Sequence, residues 1–578
     1  MNNLKGIVNF NKEIPYVDLS EGKETLTLKI NNNTYIITYI GNLYNCDDLK
    51  KELKEFGFYF ETKKEAEVIL KGYIHFGYKI LNKMNGIFAF AIWNSNAKKL
   101  FLARDHFGVK SLYYTISNGN LIFANNIQTI LEETKIEPII DSTGMCELLG
   151  LGPAHTPGTT IFKNINEIRP AHFAIYTNGG LYIDKYWELE SKPHTDNFED
   201  TCKKIKFLIE DAVKKQFLCG KPACTLLSGG LDSSIITAYA SNLAQKYNLP
   251  TLNTYSVDYI DNDKNFVKND FQPNTDDYYI DIMVNKYKTN HHKIYIDTPE
   301  LADSLKDAVY AREFPGMADV DSSLYLFCKE ISKDFNITLS GECADEVFGG
   351  YPWFFREEML NSNTFPWSNA FNERQSLLNP ELSKKINLKE YVDNRYNESI
   401  NEINLLDTDS FETAQKRKIF YLNFNWFMQT LIDRSERMGS ANNLDIRTPF
   451  SDYRLVEYLW NIPWETKSMG NREKGLLRYI MKDILPEEIV ERKKSPYPKT
   501  YNPTYLEKVK NMLTEIVENN NSPIKSILNI EYINEILETN GTNFTKPWFG
   551  QLMTGPQFMA YLCQINMWLE KYQPRIEI

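Results

Sequence analysis

The sequence predicts an α+β domain of mixed sheets and helices over residues 1–190, a linker over 191–200, and an α/β domain with a parallel sheet over 201–578. Three observations predict this. The first part carries β-branched, strand-like runs set off by hairpin signals. The second carries short apolar runs, Cys224–Leu227, Leu252–Val257 and Ile337–Ser340, alternating with helical stretches, the pattern of parallel strands joined by crossover helices. Between the two, Glu188–Asp200 with its Ser191-Lys-Pro-His-Thr is polar and interrupted by proline.

Taken in order, Thr25–Ile30 and Thr34–Ile40 read as paired strands around the turn Asn31-Asn32-Asn33. Helices are expected near Cys46–Phe56 and Lys64–Phe76, and strands at Gly86–Trp93 and Lys99–Arg104. After the linker, Ile205, Leu208, Ile209, Ala212 and Val213 share one face of a helix.

Composition narrows the function classes. A chain of 578 residues with 42% hydrophobic and 24% charged residues can bury full cores. Its net charge of −11 gives no general attraction for nucleic acid or an anionic membrane, and Lys203–Lys206 reads as a solvated helix face. No apolar run reaches the ~18 residues of a membrane span, and Met1–Lys5 is too polar for a signal peptide. The eight cysteines show no paired short spacing, so neither a zinc site nor a disulfide framework is expected, and a reducing cytoplasm fits.

The stretch with the most chemistry is Ala223–Ala240, which contains Leu227-Ser-Gly-Gly-Leu-Asp-Ser-Ser234. A buried strand leads into a glycine-rich turn, and Ile235, Ile236 and Tyr239 then recur at helical spacing. Strand, glycine turn and helix make a phosphate cradle. Gly229 and Gly230 let the backbone approach an anion, Ser228, Ser233 and Ser234 offer hydroxyls, and the helix N-terminus adds free N–H groups. Asp232 would repel phosphate unless a divalent cation bridged them, so it reads as a Mg2+ ligand. The spacing is not a Walker loop, which needs a Lys-Ser or Lys-Thr pair to close it.

Gly341-Glu-Cys-Ala-Asp-Glu-Val-Phe-Gly-Gly-Tyr351 follows the Ile337–Ser340 run and places Glu342, Asp345 and Glu346 within five residues. Such crowding needs cations or ammonium groups among the carboxylates, and Asp345 is the choice for the second Mg2+ ligand.

The Ser228–Ser234 block resembles the pyrophosphate loop of N-type ATP pyrophosphatases. Gly41–Asn45, Leu81–Ile92 and Leu102–Tyr114, with Gly150–His155, Phe162–Pro170 and Tyr186-Trp187, resemble the first half of class-B asparagine synthetases. The resemblance implies an N-terminal-nucleophile-hydrolase-like sandwich, two packed sheets between helix layers, followed by an α/β parallel-sheet ATP-pyrophosphatase domain. It implies ATP held by Leu227, Ser228, Gly229, Gly230, Asp232, Ser233, Ser234, Val257, Ser340 and Gly341, and a proton accepted by Glu342. In Arg492-Lys-Lys-Ser-Pro-Tyr-Pro498 it implies a lysine that neutralises the transferring phosphorus, Lys494 or its neighbour Lys493. Asp433-Arg434 and Asp445–Asp452 resemble helical elements flanking the site, and Pro547–Gln557 is family-like without a mechanistic role. A homodimer is carried over from the same relatives.

The glutaminase half departs from the family. Lys5 stands where the family has its N-terminal cysteine nucleophile, Ile40 replaces the oxyanion asparagine, and Lys64-Glu-Ala-Glu67 replaces Ser-Asp-Cys/Thr-Glu. The stretch between Ile7 and Thr34 is too short for the family's His-Arg-Gly-Pro-Asp segment and its carboxylate-binding arginine, and Cys46 has no terminal amine beside it. Glutamine hydrolysis is therefore not expected. The resemblance of Phe314–Cys328 and the Lys494 loop implies acyl-adenylate chemistry with ammonia on aspartate or a related small-molecule or peptide carboxylate. The alternatives are an amine on the substrate itself, as in β-lactam synthetases and lasso-peptide cyclases, and a non-catalytic paralogue.

Overall fold

Strand β5 (Gly86–Asn94) is buried on both faces: Phe88, Phe90 and Ile92 point into one core, while Ala89, Ala91 and Trp93 point into another. That period of two places β5 inside a layered unit. The structure, a computed structural model, describes residues 3–10, 15–30, 32–265, 275–495, 497–498, 500–544 and 546–578. Asn31 of the expected hairpin turn, Met1 and Asn2 of the opening stretch, and Pro496 of the basic loop lie outside them.

The chain divides into two units, one of Met1–Met145, His155–Leu189 and Pro574–Ile578, the other of Cys146–Ala154 and Glu190–Gln573. The first unit holds β1 (Lys5–Asn9), β2 (Tyr16–Glu21), β3 (Glu24–Ile30), β4 (Asn33–Leu43), β5, β6 (Lys99–Arg104), β7 (Tyr113–Ser117), β8 (Asn120–Ala124), β9 (Ile139–Ile140), β10 (Asn166–Glu167), β11 (His172–Thr177) and β12 (Gly180–Lys185). An antiparallel sheet in the order β10-β7-β8-β1-β2 faces a second in the order β12-β11-β6-β5-β4-β3. Leu4, Val8, Leu121 and Phe123 of the first meet Ala89, Leu100, Leu102 and Ala174 of the second in the shared core. The other face of the six-stranded sheet carries the helices Cys46–Glu55 and Glu65–Phe76, whose Leu49, Leu53, Ile69 and Tyr73 pack on Phe88, Phe90 and Phe101. This is the expected sandwich. The expected hairpin pairs β3 with β4, Ile30 opposite Asn33.

The second unit carries a parallel sheet of β13 (Cys224–Leu226), β14 (Asn253–Tyr259), β15 (Asn290–Ile296), β16 (Ile337–Leu339) and β17 (Asp445–Arg447), in the order β15-β14-β13-β16-β17. The chain runs outward from β13 to β15, then returns to start β16 on the other side of β13. Ligands bind at such a reversal, outside the carboxyl ends of the strands. Leu324, Phe327 and Ile331 of the helix Asp319–Ile331 and Met438 of the helix Met428–Ala441 bury against Cys224, Tyr255 and Ile446.

Two expectations need correcting. Asp445–Asp452 is only partly helical, a short 3-10 turn at Pro449–Ser451 after the strand Asp445–Arg447: Asn443, at φ 58, ends the preceding helix, Ile446 is buried beside β16, and Pro449 ends the ladder because it has no N–H to give. The expected linker also ends early, because the Asn197 side chain accepts from Asp200 N–H at 3.0 Å and starts the helix Phe198–Phe217.

Candidate active site

Just beyond β13, Gly229 has φ 68, and a Cβ there would lie 2.6 Å from Tyr279 Cβ and 2.8 Å from Ile280 N. Only glycine meets both conditions. The turn is closed by its own serines: Ser228 N–H donates to Ser233 Oγ at 3.2 Å, the two hydroxyls lie 3.1 Å apart, and Ser233 Oγ donates to Gly230 O at 3.2 Å. Gly230 then caps the helix Leu231–Lys246, whose Ile235 and Ile236 are fully buried. The end of β16 touches this turn directly. A Cβ on Gly341 would lie 2.6 Å from Ser233 N, so glycine here lets the two loops meet.

One cavity spans both strand ends. Leu227, Ser228, Asp232, Ser233, Val257, Ser340, Gly341, Glu342, Asp345 and Lys494 line it. Gly229 and Gly230 build the turn without lining the cavity, and Ser234 is fully buried outside it, its hydroxyl without a partner among the described residues. Asp232 and Asp345 converge on one cation that sequence reasoning missed, the ammonium of Lys474. It lies 2.7 Å from Asp232 Oδ2 and 2.8 Å from Asp345 Oδ1. Lys494 reaches the other oxygen, Asp345 Oδ2, at 3.0 Å, and sits 3.6 Å above the ring of Tyr351. Lys493 is exposed and does not line the cavity.

Burial acts on each of these charges. It pushes the Asp232 carboxyl up and the Lys494 ammonium down. It would also raise Asp345, but Lys474 and then Lys494 override it and hold that carboxyl well below the usual range. Glu346, buried beside Asp345 and accepting from Tyr351 Oη at 2.5 Å, is pushed up to about 7. Glu342 is held by Arg434 and by the Ser435 hydroxyl, both on the helix Met428–Ala441. Arg492 pairs with Asp276 and donates to Ser228 O at 2.9 Å, tying the basic loop to the cradle.

Two carboxylates sharing one cation suit Mg2+, which takes one or two protein carboxylates and fills its shell with phosphate and water. Among the described residues no larger cluster of acidic, His or Cys side chains could hold a metal. All eight cysteines are free thiols, and among the described residues no helix is long and apolar enough to cross a membrane.

In the first unit, Lys5 forms ion pairs with Glu21 at 2.9 Å and Glu133 at 2.8 Å. Glu65, in the segment that replaces the family's aspartate motif, accepts from Tyr39 Oη at 2.8 Å and lies 3.7 Å from Lys23 Nζ. That ammonium also donates to Gly41 O at 2.6 Å. Ile40 is buried, and burial pushes the Cys46 thiol up to about 11.

A family model described as asparagine synthase matches residues 204–570, and one described as a glutamine amidotransferase domain matches 11–187. The chain is 47% identical over 567 residues to glutamine-hydrolyzing asparagine synthetase 3 of Bacillus subtilis strain 168, covering 98% of this chain and 92% of that protein. It is 26% identical over 563 residues to glutamine-hydrolyzing asparagine synthetase 1 of the same organism, covering 91% and 85%. The amidase chyE of Penicillium rubens is 25% identical over 526 residues, covering 79% and 76%. An amidotransferase-type sandwich followed in the chain by a nucleotide cradle at the switch point of a parallel sheet defines an ATP-dependent carbon–nitrogen ligase. The chain belongs to the asparagine synthetase family.

Proposed function

We propose that this enzyme forms an amide by way of an acyl-adenylate, releasing AMP and pyrophosphate, with free ammonia as nitrogen source and aspartate or a related carboxylate as acceptor. The observation that carries the reading is the convergence of Asp232 and Asp345 on one cation beside Lys494. A carboxylate oxygen of the substrate attacks the α-phosphorus and pyrophosphate departs. Lys494 offsets charge on the transferring phosphorus, and the Ser228–Ser233 turn orients the phosphates. Asp232 and Asp345 are the residues that would hold Mg2+, which when bound neutralises charge on the pyrophosphate. Ammonia then adds to the acyl carbon, AMP leaves with the bonding pair, and Glu342 takes the proton, steadied by Arg434 and Ser435.

The first unit, in this reading, does not hydrolyse glutamine. Lys5 is committed to two glutamates, and Lys23 lies 3.7 Å from Glu65, which stands in the segment that replaces the family's Ser-Asp-Cys/Thr-Glu. Eight free thiols suit a cytoplasmic enzyme, and a homodimer is the proposed assembly. Incubation with ATP, Mg2+ and aspartate plus either ammonium or glutamine tests the reading by AMP and pyrophosphate release. Turnover with ammonium and none with glutamine is expected. Turnover with glutamine overturns the inactive first unit. Release that needs no ammonium and joins the substrate's own amine favours the cyclase reading.

A further inference from the structure

The Lys494 ammonium is held in two ways, 3.0 Å from Asp345 Oδ2 and 3.6 Å above the centre of the Tyr351 ring. Both partners come from one short stretch beyond β16. The helix Ala344–Phe348 carries Asp345 in its first turn, and Gly350 N–H then donates back to Asp345 O at 2.8 Å. A Cβ on Gly350 would lie 1.8 Å from Asp345 Oδ1, so glycine lets the loop close on the carboxylate and set Tyr351 beside it.

Tyr351 is buried, lines the cavity and is fixed from three directions. Trp353 stacks on its ring, centroids 4.2 Å apart and planes 20° apart, and Phe427 meets it edge-on at 5.2 Å. The third hold is the hydroxyl, which donates to Glu346 Oε1 at 2.5 Å. With Trp353 on one face, the ammonium takes the other. With the oxygen committed to Glu346, what Tyr351 offers Lys494 is the ring.

Asp345 has rival claims on it. It also meets Lys474, at 2.8 Å, and in the reading above it holds Mg2+. A lysine is a point charge on a flexible four-carbon stem, so an ammonium held by that carboxylate alone would shift with every other cation that Asp345 serves. The face of an aromatic ring attracts an ammonium independently of the carboxylate, and more strongly when the contact is desolvated.

Resting on the ligase reading above, we propose that Tyr351 is a positioning residue, whose ring face keeps the Lys494 ammonium aimed at the transferring phosphorus. Its effect falls on the transfer step, because the nucleotide itself is held by the Ser228–Ser233 turn.

Pyrophosphate release by the full chain with ATP, Mg2+, aspartate and saturating ammonium tests this. Tyr351→Leu removes the ring and is expected to lower kcat about tenfold while the KM for ATP, which also reports folding, stays within about twofold. Tyr351→Met takes its place should leucine disturb the fold. Tyr351→Phe keeps the ring and should retain most of the wild-type kcat. In a Lys494→Ala background, Tyr351→Leu should lower kcat no further, because the ammonium it acts through is already gone. A role limited to packing predicts instead a second loss of about tenfold in that background, and this result overturns the proposal while leaving the ligase standing. So does an equal fall in Tyr351→Phe and Tyr351→Leu, which assigns the effect to the hydroxyl, and so does an unchanged kcat in Tyr351→Leu. No pyrophosphate from the wild type with any carboxylate overturns the ligase reading, and this inference with it.

Discussion

Lys474 Nζ lies 2.8 Å from Asp345 Oδ1, and the same ammonium lies 2.7 Å from Asp232 Oδ2. Two carboxylates from the ends of two different strands are thus held together by a residue far along the chain. Without it, Asp232 would lose its ammonium partner and Asp345 would keep only Lys494. Lys474→Met is expected to destabilise the protein by about 3–5 kcal/mol, the cost of removing one partner from a buried ion pair. Thermal unfolding measures it, and an unshifted midpoint would show that the two carboxylates do not depend on this lysine.

The basic loop offers two adjacent lysines with different surroundings. Lys494 lies between Asp345 and the Tyr351 ring, whereas Lys493 is exposed. Lys494→Ala should lower ammonium-dependent pyrophosphate release by roughly 100-fold, the scale seen when a single preorganised donor to developing charge is removed. Lys493→Ala should stay within about twofold. Equal losses from both would mean that the loop, and not the Lys494 ammonium, matters.

Gly229→Ala is the sharpest test of the cradle. Its φ of 68 strains an L-residue by about 1–2 kcal/mol, and the added methyl meets Tyr279 Cβ at 2.6 Å and the backbone of Ile280. The turn must shift, carrying Ser228 with it. The stabilisation of the protein by ATP, read as a thermal shift, should fall sharply. A wild-type shift would place the nucleotide elsewhere.

What the sequence could and could not reveal follows from where the chemistry sits. Ser228–Ser234 was legible because strand, glycines, hydroxyls and helix start are consecutive, so local geometry alone builds the turn. Asp232 and Asp345 were legible as charges needing a cation, but no spacing ties either to Lys474, which meets them only through the fold. Arg492 and Asp276 escaped for the same reason. β17 was missed because three residues, Asp445–Arg447, are too few to show a strand period of their own, and the family resemblance implies a helical element there. Nor does local patterning reveal that Cys146–Ala154 belongs to the second unit: Arg374 Nη1 donates to Leu149 O at 3.0 Å and Gly152 O at 3.0 Å across more than two hundred residues.

Glu346 gives the fold a pH dependence whose sign can be stated. Its carboxyl is raised from 4.5 to about 7 by burial and by neighbouring Asp345. Between those values the folded protein holds a proton that the unfolded chain has released. Stability contributed by this group is therefore full below pH 4.5 and is lost as pH rises through about 7, at roughly 1.4 kcal/mol per pH unit. Glu346→Gln keeps an acceptor for Tyr351 Oη and removes the titration. Urea unfolding at several pH values should show a shallower slope in the variant across this window, and parallel slopes would assign the titration to another group.

Cys46 is the one thiol in the first unit that sits at a helix start, where the N-terminal dipole ordinarily lowers a thiol's pKa. Burial outweighs the dipole here and pushes the thiol to about 11. At neutral pH fewer than about one molecule in a thousand then carries the thiolate, and attack on an amide needs that thiolate together with a base beside it. Cys46→Ala should leave ammonium-dependent AMP release unchanged, and iodoacetamide at neutral pH should not alter it through this residue. The discriminating measurement is glutamate release from glutamine by the wild type and by Cys46→Ala. Release by the wild type that disappears in the variant would make Cys46 a nucleophile despite its burial, whereas absence of release in both leaves Lys5, Lys23 and Glu65 as the ion pairs of a unit that no longer needs one.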